Sequence, residues 1–244
     1  MEIFWNTIAA YNAATWAMQI VLVLVGFILL MFMYFRPSCA VRAAMKIYMA
    51  ILNFWIAGVY YMMFCGQRSY HDMLALFWAI MGGIWIYDLV VKHASLERTG
   101  NHNAFAVLLF VMPLVYPLCS LAIGREFPMM TSPVMPCSVA VFTIGLMLAF
   151  SERANIVLAM FLCHWALIGL SKVYFFGIPE DYLLACSTVP ALYVFFREYI
   201  RNLRNRPSKP SARVLDILLV VLCVIIGTFF TVTLLHQFDL LSEA

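Results

Sequence analysis

The sequence predicts an all-α bundle of transmembrane helices, about eight in number, and three observations predict it. Hydrophobic residues make up 65% of the 244 positions and charged residues only 11%, against about 25% charged in a soluble domain. Apolar runs recur along the chain and reach the roughly 20 residues needed to cross a bilayer. Lys and Arg gather in every second loop between those runs. The runs are continuous where a β-barrel would alternate. Backbone groups in lipid must be bonded within their own segment, so each run reads as a helix.

In chain order, residues 1–12 are apolar and aromatic, with Trp5, Tyr11 and Trp16 suited to a membrane interface. They read as a short interfacial helix or an extension of the first span. The start Met1-Glu2 lacks basic residues, and the apolar run after it is too long for a cleaved signal. Spans follow at about Ala13 to Phe35, Ala43 to Cys65, Asp72 to Val91 and Ala104 to Ile123. Four more are expected at about Val134 to Phe150, Ala154 to Val173, Asp181 to Tyr199 and Val214 to Leu235. No loop is long enough to hold a soluble domain, so residues 1–244 read as one integral membrane domain.

The basic residues set the expected orientation. Arg36, Arg42, Lys46, Lys92, Arg98, Arg153, Arg197, Arg201, Arg204, Arg206, Lys209 and Arg213 fall on one side, and Arg68, Arg125 and Lys172 on the other. The first set is predicted to face the cytoplasm of a bacterial inner membrane, with both termini outside. The linker 197–213 (REYIRNLRNRPSKPSAR) is the longest basic stretch. It holds topology and offers a contact for anionic lipid headgroups. The net charge of +3 is explained by these borders and does not point to nucleic acid.

Candidate site residues concentrate between Met135 and Tyr182. His164, beside Trp165, lies near the middle of the sixth run, where a polar side chain usually faces the bundle interior. It reads either as a proton relay or ligand residue or, more plainly, as a neutral His bonded to a neighbouring helix. Glu180 and Asp181 follow Pro179 at a helix start, where acids complement the helix dipole; alternatively they form an acidic outer mouth. Pro133 and Pro136 frame Cys137 in backbone that cannot be a regular helix start. Irregular backbone at membrane depth is tolerated only when buried or lining a cavity. Thr143, Asn12, Trp16 and Tyr60 complete the set expected to line a site between the central spans. Asp88 is expected to pair with Lys92 at a helix end.

Catalytic chemistry is not signalled: HExxH, GxSxG, P-loop and DxD patterns are missing. Seven cysteines are spread one per segment without a CxxC pair, so neither zinc nor disulfides are expected. No metal or cofactor is expected, and the sixteen Met residues read as packing. The functional expectation is a small-solute or ion permease. The alternatives are an intramembrane enzyme acting on a lipid-like substrate and a non-catalytic accessory subunit.

Several stretches also match a family pattern. Met135-Pro136-Cys137 followed by Phe142-Thr143-Ile144-Gly145-Leu146 resembles a segment of an uncharacterised prokaryotic membrane family, domain of unknown function 6064. Trp165-Ala166-Leu167-Ile168-Gly169 and Gly177-Ile178-Pro179-Glu180-Asp181 are similar to two more of its segments, as are Tyr11-Asn12 with Trp16 and the run Trp55 to Tyr60. Ser138 stands where that family has a proline. The resemblance implies the fold and a membrane location, and no activity.

Overall fold

The computed structural model describes residues 2–68, 71–91, 95–98, 103–176, 178–205, 214, 217–219, 221–228 and 232. Eight α-helices are defined: α1 (Glu2–Phe35), α2 (Cys39–Trp55), α3 (His71–Val91), α4 (Asn103–Ala122), α5 (Pro136–Phe150), α6 (Ile156–Phe176), α7 (Tyr182–Cys186) and α8 (Thr188–Asn205). Residues 217–219 and 221–228 are also helical. Among the described residues, five stretches are long and apolar enough to cross a membrane: Glu2–Phe35, Cys39–Phe64, His71–Val91, Ala104–Ala122 and Pro179–Arg201. The other predicted spans coincide with shorter apolar helices. The basic stretch 206–213 lies outside the described residues, as does Lys92.

The N-terminal segment extends α1 into one helix of 34 residues, about 51 Å long at 1.5 Å per residue. Pro37 ends it, and Ser38 caps α2 by accepting from the Val41 amide at 3.2 Å. Beyond Trp55 the second helix continues as wide π-turns, Ile56–Phe64. There the adjacent Tyr60 and Tyr61 are both buried.

The chain divides into two compact units, Met1–Asn155 and Ile156–Ala244. In the first, α1 and α2 are tied by the Tyr48 hydroxyl, which donates to the Leu22 carbonyl at 2.9 Å. Helices α2 and α3 meet at Lys46 and Asp88. The ammonium donates to the Asp88 carbonyl at 3.0 Å and lies 3.8 Å from its carboxylate. The expected Asp88–Lys92 pair falls outside the described residues; the cation seen at Asp88 comes from α2. A short antiparallel pairing joins Ser95–Leu96 to Ser151–Arg153.

Helix α5 packs on α4 at Gly145, where an added Cβ would lie 2.9 Å from the Leu109 Cβ. Gly145→Leu is therefore expected to destabilise by about 1–3 kcal/mol through overpacking. A thermal-unfolding series in detergent, with Gly58→Ala as the control at an open position, checks this.

In the second unit, Gly169 of α6 lies against the α7 turn. A Cβ there would sit 3.0 Å from the Ala185 amide nitrogen and 3.1 Å from the Asp181 carbonyl oxygen. Glu198 of α8 is buried between two arginines, 3.1 Å from Arg197 and 3.3 Å from Arg201.

Candidate functional site

In the first unit, the segment between α4 and α5 turns back into the bundle. Thr131 donates to the Tyr116 carbonyl at 2.9 Å, six residues before the end of α4, and lies 2.8 Å from the Ser120 hydroxyl. Pro133 and Val134 share a pocket with Pro113 and Leu114, about 12 Å from the end of α4 at 1.5 Å per residue. Helix α5 therefore begins well inside the bundle, which is why it needs only 15 residues.

Such backbone must have its polar groups satisfied by the surrounding protein. The Asn12 amide donates to the carbonyls of Pro128 at 2.9 Å and Met130 at 2.6 Å. Its oxygen accepts from Gln19 at 3.3 Å, and Gln19 also donates to Thr15. The Tyr11 hydroxyl donates to the Val134 carbonyl at 2.6 Å and accepts from the Trp55 indole at 3.0 Å. Ser138 donates to the Ser132 carbonyl. Two consecutive residues of α1 thus latch a segment more than a hundred positions away.

Below this latch lies a pocket of about 240 Å³. Its walls come from α1 (Val23, Phe27, Leu30), α2 (Tyr48, Leu52), α4 (Phe110, Leu114), the turned-in Pro133 and Val134, and α5 (Val139, Phe142). The one hydroxyl in the lining, on Tyr48, is already bonded to Leu22. Leu24, Phe27 and Leu114 are exposed, so the pocket is open at the apolar perimeter.

Above the latch, Tyr11 meets Tyr60 edge to face, with centroids 5.0 Å apart. The Arg68 guanidinium donates to the Phe4 carbonyl at 3.0 Å and to the Tyr60 hydroxyl at 3.5 Å, and it stacks on the Phe4 ring at 4.4 Å. Burial works against its charge, while the Tyr60 phenol and the Cys65 thiol favour it; the net direction is upward, so Arg68 is a fixed cation. Arg125 stacks on Trp5 at 3.4 Å. These contacts fasten the start of α1 to the loops around it.

The sequence-predicted residues divide between the units. In the first, Asn12 is the latch and Tyr60 part of the aromatic layer above it. Cys137 is buried in the first turn of α5, and Thr143 donates to the Val139 carbonyl at 2.6 Å. Trp16 is 54% exposed and faces outward. In the second, Trp165 is buried, and the His164 Nδ1 lies 2.8 Å from the Met160 carbonyl, one turn back on the same helix. Glu180 and Asp181 are each only 2% exposed. They sit in the turn Pro179–Asp181 that opens α7. The side chain of Lys172 lies outside the described residues. Sequence reading missed Tyr11, Lys46 and the pocket lining. Only Tyr11 had a signal, as neighbour of Asn12.

Among the described residues no three His, Cys, Asp or Glu side chains are grouped to hold a metal ion. No curated protein and no solved structure matches the chain. The model of a family of unknown function, DUF6064, matches residues 1–206, most of the chain, and the protein is a member of that family.

Proposed function

We propose that this protein is a bacterial inner-membrane protein that holds one hydrocarbon chain of a lipid-like molecule in the first unit's pocket, without catalysing a reaction. One integral domain of eight spans, both termini outside, completes the proposal. The observation that carries it is the pocket itself. It is apolar, lies midway along α2 and α4, and opens where the neighbouring side chains are the exposed apolar ones of a lipid-facing surface. Lipid tails are as apolar as this lining, so what holds a chain here is close packing against the pocket walls. The pairing of Ser95–Leu96 with Ser151–Arg153 supports the orientation, because it brings two basic loops to one end of the first unit.

The polar residues of the first unit favour a holder over a solute pathway. Asn12, Gln19, Thr143 and Ser138 all bond to protein groups. The test uses the purified protein in nanodiscs doped with a photoactivatable fatty-acyl phospholipid. Cross-links are expected on Leu52, Phe142 and their neighbours, and Leu114→Trp, which narrows the mouth, is expected to reduce them about fivefold, a loss near 1 kcal/mol. Cross-links spread evenly over the outer faces of α1 and α3, and insensitive to Leu114→Trp, would remove the proposal. Protein-dependent ion or solute flux in liposomes would instead favour a permease.

A further inference from the structure

The pocket of the first unit is closed toward one end of that unit and continues toward the other. On the latch side its roof is the turned-in segment, at Pro133 and Val134. On the opposite side a run of rings leaves the lining. Phe110 lies 6.3 Å from Phe150 between centroids, Phe150 lies 5.0 Å from Tyr34, and the Arg98 guanidinium stands over the Tyr34 ring at 5.0 Å. On α1, Phe27, Leu30 and Tyr34 are spaced i, i+3, i+7 and share one face. Phe27 lies eight residues before the end of α1 at Phe35, about 12 Å at 1.5 Å per residue. One leaflet's share of the hydrocarbon core is about 15 Å, so a chain in the pocket reaches a headgroup at the Arg98 end. That end is basic. The pairing of Ser95–Leu96 with Ser151–Arg153 and the 3.4 Å contact of Arg42 with Glu97 gather three loops there. By sequence those loops and the first turn of α2 carry five Lys and Arg residues against two acids. The opposite end of the unit carries Arg68 and Arg125 against Glu2, Asp72 and Glu126. Arg36 and Arg98 are exposed, and among the described residues neither meets a carboxylate.

Granted the lipid reading of the pocket, on which this rests, we propose that the molecule held is an anionic glycerophospholipid from the leaflet at the basic end, with Arg98 and Arg36 on its phosphate. A guanidinium stacked on a ring keeps its planar fork of N–H groups free at the edge, and that fork matches a phosphate with two bonds. Each basic residue near a membrane surface is worth about fivefold in affinity for an anionic lipid. A zwitterionic headgroup adds a cation, which the excess of Lys and Arg at this end repels. The charge balance therefore selects the anionic class, and the turned-in roof selects the leaflet.

The test compares two photoactivatable phospholipids with the same acyl chains, a phosphatidylglycerol and a phosphatidylcholine, in nanodiscs carrying the purified full-length protein. Mass spectrometry reads the cross-links on Leu52 and Phe142. The glycerol lipid should label them about fivefold more than the choline lipid, the effect of one basic residue. Arg98→Gln should erase that preference and leave labelling by the choline lipid unchanged. Arg98→Lys, which keeps the charge and loses the fork, should restore part of it. Arg125→Gln, at the opposite end, should change neither. Free glycerol phosphate in excess should not displace the lipid. Equal labelling by the two lipids, or a preference untouched by Arg98→Gln, overturns this proposal and leaves the lipid reading standing. So does a preference lost equally in Arg125→Gln, which makes it an effect of net charge alone, or displacement by glycerol phosphate, which assigns Arg98 to a soluble phosphate ester. Labelling of the pocket by neither lipid overturns both readings.

Discussion

Lys46→Ala is expected to cost about 3–5 kcal/mol of stability, the range for breaking a buried ion pair by removing one partner. Lys46 and Asp88 are both almost fully buried, with side-chain exposures of 7% and 1%. Removing the ammonium takes away the cation that lies 3.8 Å from this buried carboxylate. The cost is the desolvation of that charge and not the attraction that was lost. Lys46→Met combined with Asp88→Leu is therefore expected to recover most of the loss, because it removes both charges and keeps the volume. Equilibrium unfolding in mixed micelles would measure both. A single variant within about 0.5 kcal/mol of the parent, the range of an ordinary surface change, would show that water reaches the pair.

Asn12→Leu is the second large effect expected. One amide group satisfies two carbonyls of the turned-in segment, at 2.9 Å and 2.6 Å. Each acceptor left unsatisfied costs about 1–3 kcal/mol, so the variant should lose roughly 2–6 kcal/mol. The loss should be local. Hydrogen exchange across residues 123–135 should speed up sharply while α2 and α3 keep their protection. Trp16→Leu, one turn further along α1 on the exposed side, should change neither stability nor exchange. Equal effects from the two variants would mean that Asn12 is not the latch.

Composition and run length made the helical membrane class legible, and they do so for a physical reason. Twenty apolar residues in a row have few stable alternatives to a helix in lipid. Tertiary partnership was much less legible. Asn12 stands out as a polar residue in an apolar run, but its partners lie 116 and 118 positions away. No local pattern announces them. Local spacing pointed from Asp88 only to the nearest cation along the chain; that packing also brings Lys46 of another helix against it is not visible in any one run. Glu180 and Asp181 read either as a helix start or as an acidic mouth, and how far they are buried, in the turn just before α7, could not be read from their own neighbours in the chain. The apolar pocket was invisible, since a cavity is a failure of side chains on four elements to meet, and each element alone looks ordinary.

The latch between α1 and the turned-in segment bears on how the chain is made. At 15 residues, α5 is shorter than the roughly 20 that a translocon accepts as a free-standing span. Its seating in the first unit therefore depends on partners supplied earlier in the chain. Tyr11 and Asn12 leave the ribosome long before Pro128 and Val134 and wait in the membrane as a docking template. Assembly of the first unit is consequently expected to run from its amino terminus, with Tyr11 and Asn12 in place before the segment they hold.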